Sequence, residues 1–138
     1  MHTNLLQKLT LGLAGVTAAS IGLMIAVVPH AFYESYGIAL GTDPNLLSEL
    51  RAPGAGLAVL GFVTILGAFQ RDLTRVAVVI AFAIFAAFPA GRLISLLADG
   101  MPNTSIAGAM IIEIVILGML VGAFVFGRDR RSAISPAE

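Results

Sequence analysis

Four long stretches of the chain are nearly free of charge, and the charged residues fall mainly between them. Between Lys8 and Glu34 lie 25 residues without a formal charge, most apolar from about Leu9 to Val28, before Pro29 and His30. Residues 52–70, bracketed by Arg51 and Arg71, give 19 uncharged positions entered through Ala52-Pro53-Gly54. A third stretch, about 73–97, holds one charge in its apolar part, Arg92; a fourth, about 105–126, holds Glu113. A helix needs roughly 20 apolar residues to cross the hydrocarbon of a bilayer. None of the stretches alternates with period two as a barrel strand does, and only helices or closed barrels satisfy backbone polar groups in lipid. The pattern therefore predicts an all-α fold, a single-domain integral membrane four-helix bundle with spans at about 9–28, 52–70, 73–97 and 105–126.

The connections are unequal. About 20 residues separate the first two spans, whereas Gln70-Arg71-Asp72 and Asp99-Gly100-Met101-Pro102-Asn103 are tight turns that force antiparallel neighbours. Lys8, Arg71, Arg75, Arg128, Arg130 and Arg131 then share one side, six of the eight basic residues, and Glu34, Asp43, Glu49 and Asp99 take the other with Arg51 and Arg92. The positive-inside rule predicts both termini in the cytoplasm and an outward-facing first loop. In that loop Phe32, Tyr33 and Tyr36 suit an interfacial aromatic belt. Asp43-Pro44 has the form of a helix start, with Asp43 as N-cap and Pro44 in the first turn, so the second helix is expected to begin near Pro44 and to meet Pro53 in its interior. A signal peptide competes for the first span, but its apolar run exceeds the ~7–15 residues of a signal core and no small-x-small site follows Val28; an uncleaved span is expected. The tail from Arg128 to Glu138 is expected to be polar and frayed.

Composition agrees with this class. The 138 residues are 58% hydrophobic and 12% charged, about half the charged fraction of an average soluble domain. Net charge is zero, so bulk electrostatics predicts no nucleic-acid partner. With no cysteine there are no disulfides, thiolate metal sites or iron–sulfur clusters, and His2 and His30, the only histidines, fall on opposite faces. No metal and no cofactor is expected.

Small residues recur at four-residue spacing: Gly15 and Ala19, Ala18 and Gly22, Gly54 and Ala58, Ala83, Ala87 and Gly91, Gly118 and Gly122. Spans associate through close approach at such residues, because lipid removes the hydrophobic drive between them. They are read as packing within one bundle, with a homo-oligomer seam as the competing reading.

Arg92 and Glu113 lie roughly 8 and 12 Å inside the outer ends of their spans, from the 1.5 Å rise per residue, so they are expected to meet across the short turn and offset each other's insertion cost. Arg92, Ser95 and Asp99 follow i, i+3, i+7 on one face, and Glu49 and Arg51 enter at the same end. The expected feature is an outward-facing polar recess lined by Glu49, Arg51, Arg92, Ser95, Asp99 and Glu113. Three uses are compatible with it: an ion-pair network that only fixes helix register, a site for a small or anionic ligand or lipid headgroup, and proton handling by Glu113. The tyrosines and Phe82, Phe85 and Phe88 are read as belt and packing residues.

Ser48-Glu-Leu-Arg-Ala-Pro-Gly-Ala-Gly56, Gly91-Arg-Leu-Ile-Ser95 with Asp99-Gly-Met-Pro102, and Glu113 together resemble the small bacterial four-span proteins grouped as domain of unknown function 4345, over roughly residues 10–127. More loosely they are similar to DoxX-type bundles. The resemblance implies a bacterial inner membrane location, the motif residues Glu49, Arg51, Gly91, Arg92, Ser95, Asp99, Gly100 and Glu113, and no reaction. The functional expectation is a non-enzymatic membrane protein that binds a small ligand or lipid headgroup, or serves as an accessory subunit of a larger membrane complex. An oligomeric transporter or proton-coupled carrier using Glu113 is the alternative. A lipid- or quinone-directed membrane enzyme is a third reading, disfavoured because no activated nucleophile or metal set is visible.

Overall fold

The computed structural model describes residues 4–126, and among these every regular element is helical. Four helices are long and apolar enough to cross a membrane: α1 (Leu5–Val27), α3 (Pro44–Phe69), α4 (Thr74–Asp99) and α5 (Thr104–Val121), the last continued by a π-helical turn, Gly122–Phe126. A short helix, α2 (Pro29–Glu34), follows α1 in the first loop. His2 and the cluster Arg128, Arg130 and Arg131 lie outside the described residues, as does the polar tail.

The helix starts follow from local chemistry. Asn4 caps α1 in a reciprocal box: its side chain accepts from the Gln7 amide while the Gln7 side chain accepts from the Asn4 amide. Asp43 accepts from the Asn45 amide, with Pro44 in the first helical position, so α3 starts well before the uncharged stretch and carries Pro53 inside it. Asn103 caps α5 through the Ile106 amide. Gly100 ends α4 at φ 95°, a conformation that a side chain disfavours. At the opposite end the Thr74 hydroxyl donates to the carbonyls of Gly67 and Gln70, closing the α3–α4 turn.

Residue types are inverted relative to a water-soluble bundle. Leu5, Phe69, Val79, Ile94 and Leu97 are exposed, whereas much of the interior is Ala14, Ala18, Ala19, Ala58, Ala77 and Ala81 with glycines between helices. A large apolar exterior over a small-residue interior suits acyl chains outside and van der Waals packing within. The closest approach is α1 against α3. A methyl group added to Gly15, Gly22 or Gly61 would overlap the facing backbone, at Ile65, Ala58 and Ala19 respectively. Gly54 is equally tight against Ile25.

The stripes expected on the other two spans seat no neighbour. Ala83, Ala87, Gly91, Gly118 and Gly122 are exposed, and a Cβ at any of these three glycines meets open space. α4 turns a different face inward, Ala77, Ala81, Ile84 and Phe85, and α5 does so with Glu113, Ile116 and Leu120. The α3–α4 contact is therefore also a close one, with Gly67 against Ala77, where an added Cβ would overlap, while Ile84, Phe85, Ile116 and Leu120 supply the larger side chains of the core.

Burial also differs between the two ends. At the end that holds the α3–α4 turn, Leu11, Leu120, Ala123 and Phe124 form part of one core, and the Gln7 side-chain amide donates to the Ala123 carbonyl at 2.9 Å, tying the start of α1 to the π-helical turn. At the end that holds the α4–α5 turn no residue of α5 before Glu113, of α4 after Pro89, or of α1 after Gly22 is buried. The bundle is closed at the first end, and α1 stands apart from α4 and α5 at the second.

Candidate functional site

That separation leaves a cavity of about 740 Å³ in the half of the bundle nearer the α4–α5 turn. One wall is α1, with Thr17, Ala18, Ile21 and Ile25; the opposite wall is α4 and α5, with Ile84, Phe85, Phe88, Gly91, Ile106 and Ala109. Phe32, Tyr33 and Tyr36 from α2 and the turn after it, together with Pro102 from the α4–α5 turn, complete the lining at that end. This is the size of a pocket for a small organic ligand, and its walls are chiefly apolar.

Arg92 and Glu113 stand in that wall. Nε of Arg92 donates to Oε2 of Glu113 at 2.9 Å and Nη2 donates to Oε1 at 2.9 Å, a side-on bidentate pair. The planar guanidinium matches the carboxylate plane, which fixes both rotamers as well as neutralising both charges. The Arg92 side chain is 28% exposed and that of Glu113 10%, so the carboxylate is the inner partner and the arginine borders the cavity. Nη1 of Arg92 makes no hydrogen bond to protein among the described residues.

Of the six residues expected to line the recess, the structure brings three together: Arg92, Ser95 and Glu113. The other three lie outside its wall. Arg51 reaches across to α1 and donates through Nη1 to the carbonyls of Ala26 and Val27, the latter at 3.2 Å. It satisfies acceptors at a helix C-terminus, where a cation also suits the helix dipole. Glu49 is exposed one turn into α3. Asp99 is exposed at the end of α4 and accepts the Ser95 hydroxyl at 2.9 Å, so the i, i+3, i+7 face runs from the cavity to the surface with its last member outside.

The aromatic residues of the first loop add to the border of the cavity. Phe32 is buried and packs edge-to-face on Tyr33, ring centroids 5.3 Å apart, and against Tyr36 at 5.2 Å. The three form one cluster bordering the cavity. Two polar links hold this segment down: His30 Nε2 to the Gly41 carbonyl at 3.2 Å, and Asn103, whose side-chain amide donates to the Tyr36 carbonyl. Burial pushes the Tyr33 phenol above its ordinary pKa, so it is a neutral hydrogen-bonding group at physiological pH. No local sequence signal marks Asn103 as the tie between the first loop and the last turn. Its partner is 67 residues away.

Among the described residues no group of His, Asp and Glu is arranged to hold a metal ion. What the fold and the cavity define is a small bundle of four helices long and apolar enough to cross a membrane, with an Arg92–Glu113 ion pair in the wall of a pocket. The chain belongs to the family described as Domain of unknown function (DUF4345), whose model matches residues 6–124 and so covers all four membrane-crossing helices. Searches of curated proteins and of solved structures found no match.

Proposed function

We propose that this protein is a non-enzymatic binding protein of the bacterial inner membrane, with both termini in the cytoplasm and the cavity opening at the outer face, and that the cavity holds a lipid-soluble small molecule or the head region of a lipid. The observation that carries the reading is the cavity itself: apolar walls of ligand size with a few convergent polar groups, Arg92, Glu113, Tyr33 and Tyr36. An ion pair that served register alone would be at its most effective with packed side chains around it, yet here the bundle is open beside it. The arginine distribution supports the orientation, since Lys8, Arg71 and Arg75 share the closed end.

Gly91 offers a clean test, because it lines the cavity and a Cβ there meets no atom within 4 Å. Native mass spectrometry of protein extracted in mild detergent is expected to show a bound small molecule. Gly91→Leu is expected to lose it with an unchanged unfolding midpoint, while Gly118→Leu, outside the cavity, retains it. Equal retention by both variants, or no bound molecule in the unaltered protein, would count against the reading.

A further inference from the structure

The charges around the cavity constrain the head of its occupant, an argument that rests on the binding function proposed above. Among the described residues Arg92 and Glu113 are the only charged ones in the lining, and their bidentate contact makes the pocket neutral overall. An anionic head that approached Arg92 would also meet the Glu113 carboxylate held against it. The surroundings reinforce this. Glu34, Asp43, Glu49 and Asp99 are all exposed at the same end of the bundle, and Arg51, on the same helix as Glu49, is already engaged by the carbonyls of Ala26 and Val27. An anion therefore gains little at the pair and is repelled at the mouth. A cation is attracted to the mouth, but the one carboxylate inside already accepts from Arg92 through both oxygens, so it would enter the pocket without a counter-charge.

What remains unfilled is neutral hydrogen bonding. Arg92 Nη1 is a donor without a protein partner among the described residues, and the phenols of Tyr33 and Tyr36, with no such partner either, border the same space. From Arg92 the lining continues along α4 through Phe88 and Phe85 to Ile84, eight residues or roughly 12 Å at the helical rise, with only apolar residues on that wall and Thr17 among the apolar residues of α1 opposite. We infer that the cavity takes a neutral amphiphile with a carbonyl-type acceptor, such as an acylglycerol, its head against Arg92 and the two tyrosines and its chain directed toward the membrane centre. That is the orientation of an outer-leaflet lipid. Because α1, α4 and α5 bury nothing at their outer ends, the molecule reaches the cavity from the bilayer without crossing the core.

The test uses purified full-length protein and four probes of one chain length: a monoacylglycerol, an alkyl sulfonate, an alkyl trimethylammonium and the plain alkane. Each competes with a fluorescent monoacylglycerol. The monoacylglycerol is expected to bind at least about tenfold more tightly than either ion or the alkane, about 1.4 kcal/mol. Glu113→Gln removes the compensating charge and is expected to move the preference to the sulfonate, by about tenfold or more relative to the unaltered protein. A monoacylglycerol carrying a photoreactive group at its chain end is expected to label α4 near Ile84 and Phe85, a readout that needs no variant. Preference of the unaltered protein for the sulfonate or the ammonium, an unchanged order in folded Glu113→Gln, or chain-end labelling only at the mouth would overturn the inference. If all four probes bind alike and Gly91→Leu abolishes them, the binding pocket stands and the head-group inference falls. If none binds, both fall.

Discussion

An arginine or a carboxylate alone near the middle of a membrane helix costs about 2.5–3.5 kcal/mol on insertion scales. Arg92 and Glu113 avoid most of that by sharing two hydrogen bonds of 2.9 Å. Removing one partner leaves the other charged and without its counter-ion, so Arg92→Ala and Glu113→Ala are each expected to lower stability by about 2–4 kcal/mol, with the larger loss when the more enclosed Glu113 is left unpaired. The double variant Arg92→Met, Glu113→Leu is expected to recover much of the loss, in thermal unfolding followed in detergent. Additive losses would mean that the two side chains do not act as a pair. The same logic, applied to backbone acceptors, explains Arg51. A guanidinium close to open carbonyls at the end of α1 finds enough partners there, and the expected recess loses a member to helix capping.

The helices meet by two different rules. Between α1 and α3, Gly15, Gly22, Gly54 and Gly61 let the backbones touch, and any larger side chain must push the pair apart. Gly61→Val is expected to destabilise by about 1–3 kcal/mol, as overpacking does, read as a lower unfolding midpoint, whereas Gly118→Ala, which faces open space, is expected to change nothing measurable. Gln7 belongs at this scale as well. Its side chain completes the capping box of α1 with its oxygen and holds the π-helical turn with its nitrogen, so one amide joins the first and last helices at the closed end. Closure at that end and the want of buried residues in α1, α4 and α5 at the other are what make a pocket between helices that would otherwise pack along their whole length.

For the molecule as a whole, the proposed orientation rests on charge rather than shape. Lys8, Arg71 and Arg75 lie at the end of the bundle that holds the α3–α4 turn, and on the positive-inside rule that end is expected in the cytoplasm. The chain has no cysteine, so single introduced thiols report without background. Ser35→Cys, between α1 and α3, is expected to react with a membrane-impermeant maleimide on intact spheroplasts, and Asp72→Cys, in the α3–α4 turn, only after lysis. The reverse pattern would invert the topology and place the cavity mouth in the cytoplasm.

What the sequence determined by itself was whatever depends on neighbours along the chain. Hydropathy and turn length counted the helices and made them antiparallel; Asp43-Pro44 marked the start of α3; the rise per residue put Arg92 and Glu113 at depths from which they reach each other. The tertiary structure decided the rotation of each helix about its own axis, which small, nearly uniform apolar spans do not encode locally, because almost every face is compatible with lipid. That rotation settles whether a glycine stripe seats a partner, as at Gly22 and Gly61, or faces open space, as at Gly118. It also brought Tyr33 and Tyr36 to the border of the cavity, and left Glu49, Arg51 and Asp99 beyond it. Such placements depend on side chains meeting across helices distant in sequence.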